Sequence, residues 1–290
     1  MPFAVSAAIC GHLRFHDPRN LKMMSSLKPT IAALALLAAC AAEPIEWEPP
    51  HDMAGTIGAT TRLIMDSSGA PRLVDGPAVA VALPPGACER SLVSAQAQGE
   101  ERYAAWFLAR PDSSVALVVA RSSDGGATWS TSVVADGRDR GRRGCARPAP
   151  ALAADSANAY VHAAYFIEPA DGAGVWYTHS MERGALWHQT IGVLYGEEPA
   201  AASIASAGDT VLVAYEHPGA GGSRLGVAIS RQAGHTFDER LRAVRANGTV
   251  SQPRIALRSG RIALAWRELG PAPGADAPEA RTRIRMGSWR

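Results

Sequence analysis

One pattern recurs along this chain, and a repeat limits folding more than any single motif, because each copy must bury its apolar face against the next. Four segments end an apolar or alternating run with Ala followed by an aromatic residue: Ala105-Trp106, Ala164-Tyr165, Ala214-Tyr215 and Ala265-Trp266. Their spacings are 59, 50 and 51 residues. A second signature stands 15 or 16 residues beyond each of the first three. It is complete in Ser122-Ser123-Asp124-Gly125-Gly126-Ala127-Thr128-Trp129. It is weaker in Ser180-Met181-Glu182-Arg183-Gly184-Ala185-Leu186-Trp187 and in Ser230-Arg231-Gln232-Ala233-Gly234-His235-Thr236-Phe237. The chain ends where a fourth copy would begin, at Ser288-Trp289.

Each repeat parses into short strands. The second reads ALAAD, YVHAAYFIE, VWYTHS and WHQTIGVL from inside outward. The third reads AASIAS, TVLVAYE, RLGVAIS and a short outer strand over 241–244. The fourth reads RIALRS, RIALAWRE and RTRIRMGSW, then stops without an outer strand. The expected donor of that strand is the alternating segment 78–83 (AVAVAL). Pairing the chain ends in this way hides edges that would otherwise be exposed. Segments 62–65 and 72–74 are expected to form part of one more sheet.

The signature S-x-D-x-G-x-T-W resembles the Asp-box, or BNR repeat, of the sialidase-like β-propellers, and the likeness extends over about residues 87–290. It implies an all-β fold: a small propeller of four-stranded antiparallel blades. The length allows four to five blades where the family typically has six. In the family the box lies at the outer rim, on the turn between third and fourth strands, away from any active site. The physics is local. A short carboxylate accepts hydrogen bonds from nearby N–H groups and closes the turn. Gly allows a positive φ, and the aromatic packs back between strands. The box residues Ser122, Asp124, Gly126, Thr128 and Trp129, with Ser180, Glu182, Gly184, Trp187, Ser230, Gly234, Thr236 and Phe237, are therefore read as structural. The four repeated aromatics, Trp106, Tyr165, Tyr215 and Trp266, are read as core rather than as a sugar-stacking platform.

The first fifty residues read as an address. Residues 1–23 read as an upstream prefix, with the true start at Met23 or Met24. Residues 24–39 carry one lysine, then nine apolar residues (31–39), too few to span a bilayer as a helix. The run ends Leu37-Ala38-Ala39-Cys40, which resembles the bacterial lipobox. The resemblance implies lipidation of Cys40, export and a membrane lipid anchor. Ala41 in place of Asp points to the outer membrane. Residues 40–54, rich in Pro and acidic, read as an extended linker, and 55–290 as the propeller. Cys88 and Cys145 remain as an even pair in an oxidising compartment. By the repeat they occupy the entry loops of adjacent blades, and a disulfide is expected between them.

Composition removes several function classes. The 29 basic and 27 acidic residues leave a net charge of +2, which argues against a nucleic-acid partner. Lys22 and Lys28 are the only lysines, and both precede Cys40. The mature chain therefore has no lysine for Schiff-base or P-loop chemistry. The eight His show no ligand spacing such as HxxxH and the Cys are too few for a zinc site, so no metal or cofactor is expected.

The loops preceding each innermost strand are equivalent by repeat. They should bring Arg90, Arg147, Arg254 and Gln252 to the channel mouth, with Glu198 opposite. The arginine-rich loop 136–143 belongs to the same end. Guanidinium groups bind carboxylates in bidentate fashion, which suits an anionic glycan or an acidic protein. If the chain is an exo-sialidase, the family's Tyr nucleophile, Glu and acid/base Asp would be Tyr195, Glu198 (or Glu197) and Asp136. The family's (F/Y)RIP motif is absent. The favoured expectation is a non-catalytic binding or scaffold lipoprotein for a glycan or an envelope protein. An exo-sialidase or related glycosidase, and an assembly factor for a membrane complex, stand as alternatives.

Overall fold

The computed structural model describes residues 44–290, apart from 77–78, 156, 218–223, 247 and 272–277. The expected prefix, signal segment and Cys40 lie outside the described residues. Two short strands come first, β1 (Ile45–Trp47) and β2 (His51–Asp52). A two-stranded blade follows, β3 (Thr61–Met65) and β4 (Pro71–Asp75). The second blade is β5 (Val93–Gln96), β6 (Arg102–Ala109), β7 (Val115–Ser122) and β8 (Val133–Asp136). The third is β9 (Ala151–Ala154), β10 (Val161–Ile167), β11 (Gly174–Ser180) and β12 (Ile191–Tyr195). The fourth is β13 (Ala202–Ala207), β14 (Thr210–Glu216), β15 (Arg224–Ser230) and β16 (Glu239–Arg245). The fifth is β17 (Thr249–Arg258), β18 (Arg261–Pro271) and β19 (Pro278–Trp289), completed by β1. All neighbours in each sheet are antiparallel. The architecture is a β-propeller of about five blades.

The ring closes as an end-to-end pairing, but through a different segment from the one expected. Ile45–Trp47 pairs with Gly287–Trp289, and His51–Asp52 pairs with Ile284 and Arg283. Residues 45–52 therefore belong to the last blade, which corrects the reading of 40–54 as a free linker. Ile45 is 1% exposed and sits with Trp266 and Leu264 in the layer between fourth and fifth blades. Segment 78–83 is not a strand where described. Its Val79, Val81 and Leu83 instead cover Trp106 and Val118 on the open side of the second blade. A two-stranded first blade leaves that face incomplete, and this irregular segment fills it.

The core is a set of layers between blades rather than one centre. Tyr177 and Val193 of the third blade pack on Val213 and Tyr215 of the fourth. Phe107 and Leu117 of the second pack on Tyr165 and Trp176 of the third. Because β10 and β11 are covered on both faces, every residue in them is buried, including the polar His162, Thr178, His179 and Ser180. The four repeated aromatics are 1–3% exposed: Tyr165, Tyr215 and Trp266 belong to these layers, and Trp106 lies under Val79, Val81 and Leu83.

The complete box closes by its own side chains. Asp124 accepts from Ser122 Oγ (2.7 Å), Thr128 N–H (2.9 Å) and Thr128 Oγ1 (2.5 Å). Those donors hold its carboxyl down to about 2. Gly126 donates its N–H to Ser122 Oγ, and Trp129 Nε1 donates to the Gly126 carbonyl. The second and third boxes keep the serine bond, Gly184 to Ser180 and Gly234 to Ser230, each at 2.9 Å. Gly234 has φ +88°, and a Cβ there would collide with the Tyr177 hydroxyl. Cys88 and Cys145 form the expected disulfide, across adjacent blades.

Candidate functional site

The innermost strands β3, β5, β9, β13 and β17 surround one central cavity of about 530 Å³. Its wall is small and smooth, chiefly Ala, Ser and Pro from the innermost strands and their entry loops. Among the described residues its charges are all of one sign: Arg62, Arg90, Arg254 and Arg258 line it, and no Asp or Glu does. The loops that enter the innermost strands, with Arg90, Gln252 and Arg254, form one mouth of it; the antiparallel strand order puts the box turns at the opposite end.

The predicted residues separate at this mouth. Arg90 is exposed, in a one-turn 3-10 helix (Glu89–Ser91), and lines the cavity. Arg254 also lines it, but its guanidinium donates to the carbonyls of Thr61 (2.5 Å), Gly58 (2.7 Å), Ala59 (3.3 Å) and Pro253 (2.9 Å). It thereby staples the fifth blade to the first. Burial pulls its pKa below the ordinary guanidinium value, with the Glu216 carboxylate opposing.

Arg147 does not reach the cavity, contrary to its repeat position. Its side chain is fully buried, as is that of its partner Asp139. Two guanidinium nitrogens meet the two Asp139 oxygens at 3.2 and 3.3 Å, Nε donates to Gly144, and the ring of Phe107 lies 5.6 Å away.

The sialidase candidates lie outside the cavity lining. Tyr195 ends the outer strand β12, 56% exposed, edge-on to Trp176 at 5.5 Å. Glu198 and Glu197 are exposed and, like Tyr195, line no part of the cavity. Asp136 is buried, bonded to Arg138 (2.8 and 3.1 Å) and to the Tyr165 hydroxyl (2.8 Å). The arginine-rich loop is largely tied down as well. Arg138 also stacks over Trp176 at 4.5 Å, and Arg143 pairs with Glu168 at 2.9 Å.

Two features went unread in the sequence. The first is Glu216, at the position where the other repeats have Phe107, Phe166 and Arg267. It accepts from Ala201 N–H (2.9 Å) and Gln252 N–H (2.8 Å), bridging the entries of β13 and β17. Gln252 sits at a β-bulge with φ +53°, unusual for a side-chain-bearing residue; the residue lines the cavity, and its buried Oε1 has no hydrogen-bond partner. A carboxyl replacing a buried aromatic was the signal to notice.

Burial pushes the Glu216 carboxyl above the ordinary carboxylate value, and the two N–H donors offset part of that rise. A raised folded pKa means this carboxyl favours the folded state most at low pH. Its contribution falls as pH rises from the unfolded value, about 4.3, through the folded one. In Glu216→Gln that pH dependence should vanish. The variant should lose about 1–3 kcal/mol, because one backbone N–H then faces an amide NH₂. Urea unfolding of both proteins from pH 4 to 8 checks this; parallel stability curves would refute it.

The second feature is a histidine group, His179, His188 and His235, at the box end between the third and fourth blades. Burial, reinforced by His188 and His235, lowers His179 to about 4. Burial likewise lowers the adjoining His162 to about 3. HxxxH-type spacing could not find the group. Its members are brought together from strand β11, from the residue after the second box and from inside the third.

No family model matches the sequence, and no curated protein matches it. Solved structures similar in fold include a Hadza microbial sialidase (TM-score 0.43, 15% identity, 61% of this chain and 41% of that one). The intramolecular trans-sialidase of Ruminococcus gnavus gives a TM-score of 0.48 at 15% identity, over 74% of this chain and 47% of the other. A protein of unknown function from Dyadobacter fermentans gives 0.41 at 12%, covering 86% of this chain and all of its own. This chain spans under half the length of the two sialidases it matches.

Proposed function

We propose that this chain is a non-catalytic propeller that holds an anionic glycan at its channel mouth, and that it is exported and tethered by lipid at Cys40. The observation that carries the binding reading is the cavity wall: four arginines, no carboxylate and small side chains that leave room. Arg90 is the natural anchor, being exposed at the mouth. Against hydrolysis in the cavity stands the placement of Tyr195, Glu198 and Asp136, none of which lines it.

The test uses sialylated and sulfated oligosaccharides on the full-length protein, beside a fluorogenic sialoside assay. Binding without turnover is expected, and Arg90→Ala should weaken it roughly 10- to 100-fold, the worth of one charged hydrogen bond. Turnover that disappears in Arg90→Ala would establish an enzyme instead. Lack of any acidic-glycan binding would overturn the glycan reading and leave an envelope protein as partner. Labelling of the cells with a radioactive fatty acid should mark the parent and not Cys40→Ala.

A further inference from the structure

We propose that His179, His188 and His235 form a three-histidine site for a divalent transition-metal ion of the zinc class, with a fourth position open to water. Each residue offers a ring nitrogen, and the three nitrogens lie within 4.8 Å of one another. A tetrahedral zinc with bonds near 2.1 Å sets its nitrogens roughly 3.4 Å apart. Closing that difference requires a reorientation: the exposed His188 ring, stacked on His179 with the planes 13° apart, must turn until its nitrogen points at the shared ion.

The buried member carries the argument. His179 is 2% exposed, and neither of its ring nitrogens has a hydrogen-bond partner. Buried polar groups are almost always paired, so nitrogens left orphaned beside two other imidazoles call for a ligand. The ring stacks on His188 at 4.4 Å and stands edge-on to His235 at 4.7 Å, centroid to centroid.

The fold presets the other two. His188 N–H donates to the His179 carbonyl and Thr178 Oγ1 donates to the His188 carbonyl, both at 2.8 Å, which fixes the His188 backbone beside the strand. His235 follows Gly234, whose missing Cβ lets the turn sit against the Tyr177 hydroxyl. His235 Nδ1 lies 2.7 Å from the Gln232 carbonyl. A carbonyl can only accept, so Nδ1 carries a proton, and in the neutral ring Nε2 keeps its lone pair. That is the outer-shell arrangement that orients metal-binding histidines. Three imidazoles suit zinc or a neighbouring first-row ion.

The test is calorimetric titration of the untagged full-length protein with Zn²⁺, and a visible spectrum with Co²⁺. The expected result is one saturable ion per chain and the intense absorption of four-coordinate cobalt. His188→Ala and His235→Ala, both at exposed positions that leave the fold intact, should each weaken zinc by more than about 100-fold. That exceeds the 10- to 100-fold typical of losing an outer-shell partner. His51→Ala, on β2, should bind like the parent. Absence of a saturable site, a weak six-coordinate cobalt spectrum, or unchanged affinity in the two variants would each overturn the proposal.

Discussion

Arg147→Ala is expected to lower the free energy of unfolding by about 3–5 kcal/mol, the usual result of removing one partner from a buried ion pair. Both side chains of the Arg147–Asp139 pair are sealed from solvent, at 0% and 1% exposure. Asp139 is also a hub, accepting from Val115 N–H (2.9 Å) and Glu168 N–H (2.8 Å) as well as from Arg147. Deleting the guanidinium leaves a buried carboxylate that still fastens the second blade to the third. Urea unfolding followed by tryptophan fluorescence measures the loss. Arg90→Ala, at an exposed position, should stay within about 0.5 kcal/mol of the parent. Equal, small effects from the two variants would refute the assignment of Arg147 to the framework.

Breaking the Cys88–Cys145 bond should cost about 4 kcal/mol. The chain between the cysteines is long (a sequence separation of 57), and the loop-entropy relation gives roughly that figure, against 2–5 kcal/mol usual for native disulfides. Cys145→Ser and reduction of the parent should agree. Cys145 and Arg147 hold the same loop, so the double variant should lose less than the two single losses added together. A double-mutant cycle in urea measures the coupling. Strict additivity would mean that the loop is not one cooperative unit.

The repeat made much of the fold legible. It placed the strands of the third and fourth blades and the loops that bring Cys88 to Cys145, and the strand pattern placed 62–65 and 72–74 in one more sheet. It misassigned the closing strand for a local reason. Segment 78–83 alternates over six residues, whereas Ile45–Trp47 is three residues flanked by Pro44, Pro49 and Pro50. Intrinsic strand preference favours the longer segment, but pairing with β19 and burial of Ile45 against Trp266 override it.

The candidate site was less legible. Arg90, Arg147 and Arg254 are equivalent by repeat, yet one lines the mouth freely, one is buried in an ion pair and one is bonded to backbone carbonyls. Repeat position predicts which loop a residue occupies, not which neighbour its side chain meets. The histidine group illustrates the same limit, since its members lie on two blades and across two box turns.

The sequence by itself determined the strand period, the repeated sheet and the turn chemistry of residues 122–129, because these depend on contacts within one repeat. Tertiary structure alone decided which end segment closes the ring, which arginines remain available at the channel and where His179 finds His188 and His235. Those outcomes depend on packing between blades, where side chains far apart in the chain compete for the same partners and the same buried space.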